Sequence, residues 1–224
     1  RLARAVAHRL AAVQDERHHE VGFFLELPDV ISLGSAVDLP VDVPGVVAGH
    51  VRPVLGELAA GGPCVLDVLY DDPEILVVNK PAGRPTHPVA ESTGDDVLVI
   101  AQGLAKGLQH DGQYHAVNRL DRWTSGILLL APGARRAAAW ARLFQERRVD
   151  KRYVACVRGH PPAKGIVETP VDGQDAITEF RTLACHGGIA MLLVHPHTGR
   201  KHQVRRHLAG VGCPLLGDSR YGQR

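Results

Sequence analysis

The sequence predicts an α+β fold whose core is a mixed, mostly antiparallel sheet flanked by helices and loops. Three observations carry that expectation. Strand-like segments outnumber helical ones along the 224 residues. They do not alternate with helices in the regular order of a parallel sheet. Ile127 to Ala131 is a short, continuous apolar run with the character of a buried strand.

In chain order, Leu2, Val6, Leu10 and Val13 fall on one face of a helix within residues 1–20. Val21 to Leu27 is apolar and β-prone until Pro28 breaks it. Residues 28–63 are rich in Pro and Gly, and Val51 to Ala60 reads as a helix with Pro53 in its first turn. Val65–Tyr70 and Ile75–Asn79 are strands around the turn Asp71-Asp72-Pro73-Glu74. Lys80-Pro81-Ala82-Gly83 and Thr86-His87-Pro88 are turns, and Asp95–Leu108 reads as a helix ending near Gly107. Ala134–Arg147 is a helix with a basic face and an apolar face through Trp140, Leu143 and Phe144. Arg152–Val157 is a strand and Gly159–Gly165 a loop. Ala176–Ala184 and Ile189–Val194 are strands across the Cys185-His186-Gly187-Gly188 turn, and Lys201–Leu208 is a helix opening after Thr198-Gly199-Arg200. The change of pattern near residue 64 separates an N-terminal helical or irregular extension, 1–64, from a domain at 65–224 that holds every motif below.

A hydrophobic share of 45% supports a full core. No apolar run approaches the roughly 18 residues that span a bilayer, and no secretory leader pattern opens the chain. The reading is a cytoplasmic protein without a membrane partner. Cys64, Cys156, Cys185 and Cys213 make no C-x-x-C pair and no zinc spacing, so they are expected to be reduced. The net charge of +2 hides an asymmetry, since residues 1–70 carry 5 Lys+Arg against 9 Asp+Glu and the rest 21 against 15. Such a distribution suits a polyanion, nucleic acid first, against the simpler reading of a solvated basic face.

The densest chemistry lies in Asn118-Arg119-Leu120-Asp121-Arg122, which sets one carboxylate between two arginines just before the apolar strand. Neighbouring cations favour the ionised form, which makes Asp121 a nucleophile or base, or else one half of a structural ion pair. Tyr153 lies mid-strand and either packs into a core or offers its ring to a base and its hydroxyl to a carboxylate. Arg200, Lys201, Arg205 and Arg206 sit at a turn-to-helix junction, a place suited to phosphate, and equally to a solvated basic face. Arg205, if it points inward, could pair with Asp121. His195, His197, His202 and His207 lack the i, i+4 spacing of a helical zinc pair and have no acidic residue between them, so no metal is expected.

These motifs form a larger pattern. Val77-Val78-Asn79-Lys80-Pro81-Ala82-Gly83, Arg119 to Ala131, Lys151 to Gly159, His197 to Leu208 and Gly212 to Gly222 resemble, in order, the motifs of the RluA-type pseudouridine synthases. The resemblance implies the pseudouridine synthase fold with a catalytic cleft, over a catalytic domain at 65–224. It implies an isomerase that turns uridine into pseudouridine in ribosomal or transfer RNA, without cofactor or metal and as a monomer. It implies that Asp121 is the catalytic aspartate, that Tyr153 stacks on the target base and assists proton removal, and that Arg205 pairs with the aspartate. Arg119 would enter the RNA where the uridine has flipped out, with Arg122, Arg200, Lys201, His202 and Arg206 also on the RNA. Lys80 and Pro81 would support the site structurally. Asn118 departs from the family's usual histidine and Trp123 from a small or acidic residue, the first 64 residues are acidic, and the family's last strand is not reached after Tyr221-Gly222. Two other classes compete with the enzyme: a non-catalytic RNA-binding or ribosome-assembly protein on the same fold, and a metal-dependent hydrolase using the histidines.

Overall fold

The computed structural model describes residues 22–26, 52–57, 63–88, 96–104 and 113–222, with the side chains of 22–26, 52–57, 63 and 64 excepted. These residues form two compact units, one ending at Val149 and the other resuming at Asp150 with β1 added to it. The helix expected in residues 1–20 lies outside the described residues.

In the first unit the strand order is β2 (Arg52–Glu57), β3 (Pro63–Asp72), β4 (Ile75–Lys80) and β6 (Ser125–Pro132), with β5 (Tyr114–Ala116) paired to β6. Each of these pairs is antiparallel. The expected helix at Val51–Ala60 is corrected to the strand β2. Pro53, read as a first-turn helix residue, stands opposite Asp67 in the ladder. Because β2 ends the strand order, a residue with no N–H is tolerated there, and pairing with β3 outweighs local helix preference. The turn between β3 and β4 is held by Asp72, whose Oδ1 accepts from the N–H groups of Glu74 at 2.8 Å and Ile75 at 2.9 Å. The expected Asp95–Leu108 helix is described as α1 (Val97–Leu104). Its buried Val97, Ile100, Ala101 and Leu104 follow one helical face and pack on Leu66, Val68, Leu76, Val78, Leu128 and Leu130. α2 (Ala134–Gln145) buries Trp140, as its sequence pattern predicts.

In the second unit the order is β1 (Gly22–Glu26), β7 (Asp150–Arg158), β10 (Ile189–Pro196), β9 (Thr178–His186) and β8 (Lys164–Val167), again with antiparallel pairs. Lys164 and Gly165, expected in a loop, open β8. β10 alternates between buried and less buried positions, the period of a sheet with one face on a core. Its buried Ala190, Leu192 and Val194 join Ala155, Val157, Phe180 and Leu208, the last from α3 (Gln203–Gly210). The β9–β10 turn runs through Gly187 and Gly188 at φ of 58° and 78°. Both residues need positive φ, as in the two-residue turns whose twist matches a hairpin.

Gly165 provides a sharp packing test. A Cβ placed there would sit 2.6 Å from Phe180 Cζ, and Phe180 is buried. Gly165→Ala is expected to destabilise the fold by about 1–3 kcal/mol through overpacking, read as a lower urea midpoint at unchanged m-value.

Candidate active site

In the first unit, buried Lys80 and Thr86 hold the backbone on either side of Asp121. Lys80, at the end of β4, is wholly buried. Its Nζ donates to the carbonyls of Pro81 at 2.9 Å, Arg84 at 2.7 Å and Arg122 at 3.0 Å. A buried ammonium is tolerable only when hydrogen-bonded in this way. The result ties the 81–84 turn to the residue after Asp121. Thr86 adds a second tie, donating to Leu120 O at 2.9 Å and accepting from Leu120 N at 3.2 Å. Thr124 N closes the loop on Asp121 O at 3.1 Å. Asn118 anchors the approach, accepting from Leu129 N at 2.8 Å and donating to Ile127 O at 3.3 Å. From this frame Asp121 projects half-buried, flanked by exposed Arg119, Arg122 and Trp123. Desolvation, and then the Arg119 cation, hold the His87 imidazole below its usual pKa, with Asp96 opposing.

In the second unit, Tyr153 is half-buried and packs against the core cluster of β7, β9 and β10. Arg205, on α3, is clamped by a carboxylate that sequence reasoning did not single out. Its Nε reaches Asp218 Oδ2 and its Nη2 reaches Oδ1, each at 2.8 Å, and the Asp218 side chain is only 3% exposed. Two-point geometry fixes a guanidinium in direction as well as place. The Asp218 Oδ1 also accepts from the N–H groups of Arg220 and Tyr221 at 3.0 Å each, and the Arg205 guanidinium lies 5.1 Å from the Tyr221 ring centre. The turn before α3 is locked by Gln203, which accepts from Thr198 Oγ1 at 2.7 Å and Arg200 N at 3.0 Å. Gln203 also donates to Ile177 O and Thr178 Oγ1, both at 2.9 Å. The remaining predicted RNA contacts are placed as follows. Lys201 is exposed, Arg200 Nε donates to Asp175 O at 3.0 Å, and Arg206 pairs with Asp172 at 2.7 Å. His202 Nδ1 lies 3.0 Å from the Tyr221 hydroxyl.

The family model for RNA pseudouridylate synthases matches residues 74–210. The chain belongs to the RNA pseudouridylate synthase family. Its relatives include ribosomal large subunit pseudouridine synthase D of Zymomonas mobilis, 33% identical over 70% of this chain and 56% of that protein. They also include tRNA pseudouridine synthase C of Haemophilus ducreyi, 31% identical over 70% of this chain and 74% of that protein. Among solved structures, human RNA pseudouridylate synthase domain containing 4 is similar at a TM-score of 0.59 and 30% identity, covering 70% of this chain and 69% of that one. The chain thus spans little more than half the length of several curated relatives that it matches.

In this family chain, Asp218, Gln203, Thr198 and Thr86 make buried or part-buried hydrogen bonds around the predicted site residues, and none of them stands out singly in the sequence. The signal was present for Asp218, which stands inside the Gly212–Gly222 motif. Thr198 and Gln203 likewise stand inside the His197–Leu208 motif, whereas Thr86 gave none, because a buried hydroxyl has no periodicity of its own. The departures also find a place: Asn118 bonds the backbone of β6, and Trp123 lies over Gly83, whose φ is +82° and where a Cβ would sit 3.2 Å from the Trp123 ring. Among the described residues, Glu179, His195 and His197 form a group able to hold a cation.

The Asp218 clamp has a pH signature. The hydrogen bonds from Arg205, more than its burial opposes, hold the Asp218 carboxyl down to about 2. A depressed carboxylate pKa stabilises the folded state fully above the unfolded value of about 4 and loses that stability as pH falls towards the folded value. Asp218→Asn is therefore expected to lower stability by about 2 kcal/mol at pH 7. Urea unfolding from pH 7 downward should show the gap to wild type closing between about pH 4 and pH 2.

Proposed function

We propose that this chain isomerises selected uridines of ribosomal or transfer RNA to pseudouridine, with Asp121 as the reacting carboxylate. The observation that carries the reading is the hold on the Asp121 loop. A buried ammonium and a buried hydroxyl fix its backbone, while the carboxylate stays half-buried among exposed cations. A structural ion pair would not need that frame.

The reaction breaks the bond between C1′ and N1 of the uridine, turns the base, and joins C1′ to C5, whose proton is then lost while N1 regains one. Atoms and electrons balance without an external oxidant or reductant. Asp121 assists cleavage at C1′. Tyr153 faces the base and helps remove the C5 proton. Arg205, directed by Asp218, supplies the cation for charge that develops in the reaction. The uridine leaves its stack at a cost of a few kcal/mol, and Arg119 takes the vacated place. Arg122, Arg200, Lys201, His202 and Arg206 meet phosphates, which position the RNA without reading its sequence. Arg206 exchanges its exposed pair with Asp172 at little cost. Lys80 and Pro81 support the loop, and the chain works as a monomer in the cytoplasm.

The relatives named above divide between ribosomal and transfer RNA, so the test covers both. Pseudouridine is mapped in total RNA from cells with and without this gene, rescued by wild type or Asp121→Asn. Sites lost without the gene and restored by wild type alone support the reading and name the substrate. Equal rescue by Asp121→Asn sinks it and leaves a non-catalytic RNA-binding protein.

A further inference from the structure

We infer that Glu179, His195 and His197 form a binding site for a divalent transition-metal ion of the zinc class on the sheet of the second unit, with Asp150 positioning His195. Alternate residues of an extended strand point to one face, which brings His195 and His197 together at the end of β10. The ladder places Glu179 of β9 directly opposite His195. The ligand atoms of the three lie within 4.8 Å of one another. His197 Nε2 and Glu179 Oε2 are 3.3 Å apart, and the two imidazole centres are 4.2 Å apart. A tetrahedral ion with bonds of about 2.0–2.1 Å has neighbouring ligand atoms about 3.3 Å apart. One edge of the site is already at that spacing, and rotation of the partly exposed side chains closes the others. Two imidazoles and a carboxylate, with a fourth position open, are a zinc donor set.

A second observation points the same way. Asp150 Oδ1 lies 2.6 Å from His195 Nε2, while its Oδ2 is held by Arg152 Nε and Nη2. Oδ1 is buried and makes no aligned hydrogen bond in this arrangement, so it is free to accept from His195 Nε2 when the ring turns to bind an ion. A carboxylate on one nitrogen of a ligating histidine fixes the ring and strengthens the ligand. With Nε2 turned to Asp150, His195 offers Nδ1 to the ion. The sequence argument against a metal rested on helical spacing and on the absence of an acid between the histidines. On a sheet the spacing is i, i+2 and the acid arrives from the next strand.

The ion staples β9 to the turn that leads into α3. His197 adjoins Thr198, whose carbonyl accepts from Lys151 Nζ at 2.8 Å and whose hydroxyl accepts from Ile177 N at 3.0 Å. The site is a stabilising one, independent of the catalytic reading.

The test is calorimetric titration of chelator-treated, tag-free full chain with zinc sulfate. One ion per chain is expected, with a Tm rise of about 5 °C or more at zinc 100-fold above Kd. His197→Ala and Glu179→Gln each weaken binding at least about 10-fold, and Asp150→Asn, which keeps all three ligands, about 10- to 100-fold. His160→Ala, outside the cluster, leaves affinity unchanged. Cobalt(II) gives visible bands of tetrahedral intensity with wild type and loses them with His195→Gln. Binding without fixed stoichiometry, or equal affinity in Glu179→Gln, means an adventitious ion only and overturns the proposal. Glu179 is exposed, so its variant decides the matter even if a histidine variant fails to fold.

Discussion

Asp121→Asn is expected to lower kcat/KM for pseudouridine formation by about 10⁴-fold or more, the scale on which removal of a central reacting group is felt. The amide has nearly the same shape as the carboxylate but carries no charge and is a poor nucleophile. The loop should survive the change, because Lys80, Thr86 and Thr124 tie its backbone in place. RNA affinity and Tm are therefore expected to stay close to wild type, since the cations around the site are untouched. Single-turnover assays on the mapped RNA, beside a filter-binding measurement, separate the two. Activity within 10-fold of wild type would remove Asp121 from the chemistry. A parallel collapse of Tm would make it structural.

Lys80→Met is expected to be the most damaging single change to stability. It keeps the aliphatic stem and removes a buried ammonium that serves three carbonyls. Each hydrogen bond from a charged donor is worth about 1.5–3 kcal/mol, so a loss of about 3 kcal/mol or more follows. For a chain of this size that is a fall in Tm of roughly 6–12 °C. Activity should fall with it even in the folded fraction, by about 100-fold, because one of those carbonyls belongs to Arg122, beside the aspartate proposed to react, and an ångström of misplacement has that effect. Melting followed by circular dichroism, with kinetics measured well below Tm, checks both parts. A variant that melts with wild type would show that the 81–84 turn and the Asp121 loop hold themselves without Lys80.

The elements most legible in the sequence were those with a strong local pattern. Ile127–Ala131 announced a buried strand because every side chain in it is apolar, and β6 contains all of it. The Gly187-Gly188 hairpin and the Trp140 face of α2 were readable for the same reason, since turn chemistry and helical period are local properties. Asp121, Tyr153 and Arg205 stand in motifs that resemble those of the family, and it is that resemblance which marks them as candidates. What the sequence by itself determined was thus the family and the type of fold.

Tertiary structure decided the rest. Arg52–Glu57 became a strand because β3 offered it a ladder, and a ladder partner six to sixteen residues away has no signature in the segment itself. Lys80 could be named as a supporting residue, but only folding brings the carbonyls of Pro81, Arg84 and Arg122 around one ammonium. Asp218 became the clamp of Arg205 across 13 positions of chain. Glu179 met His195 and His197 through strand register alone. Each of these depends on where a distant backbone comes to rest, and hydrogen bonds and charge pairs of that kind leave no period for a sequence to show.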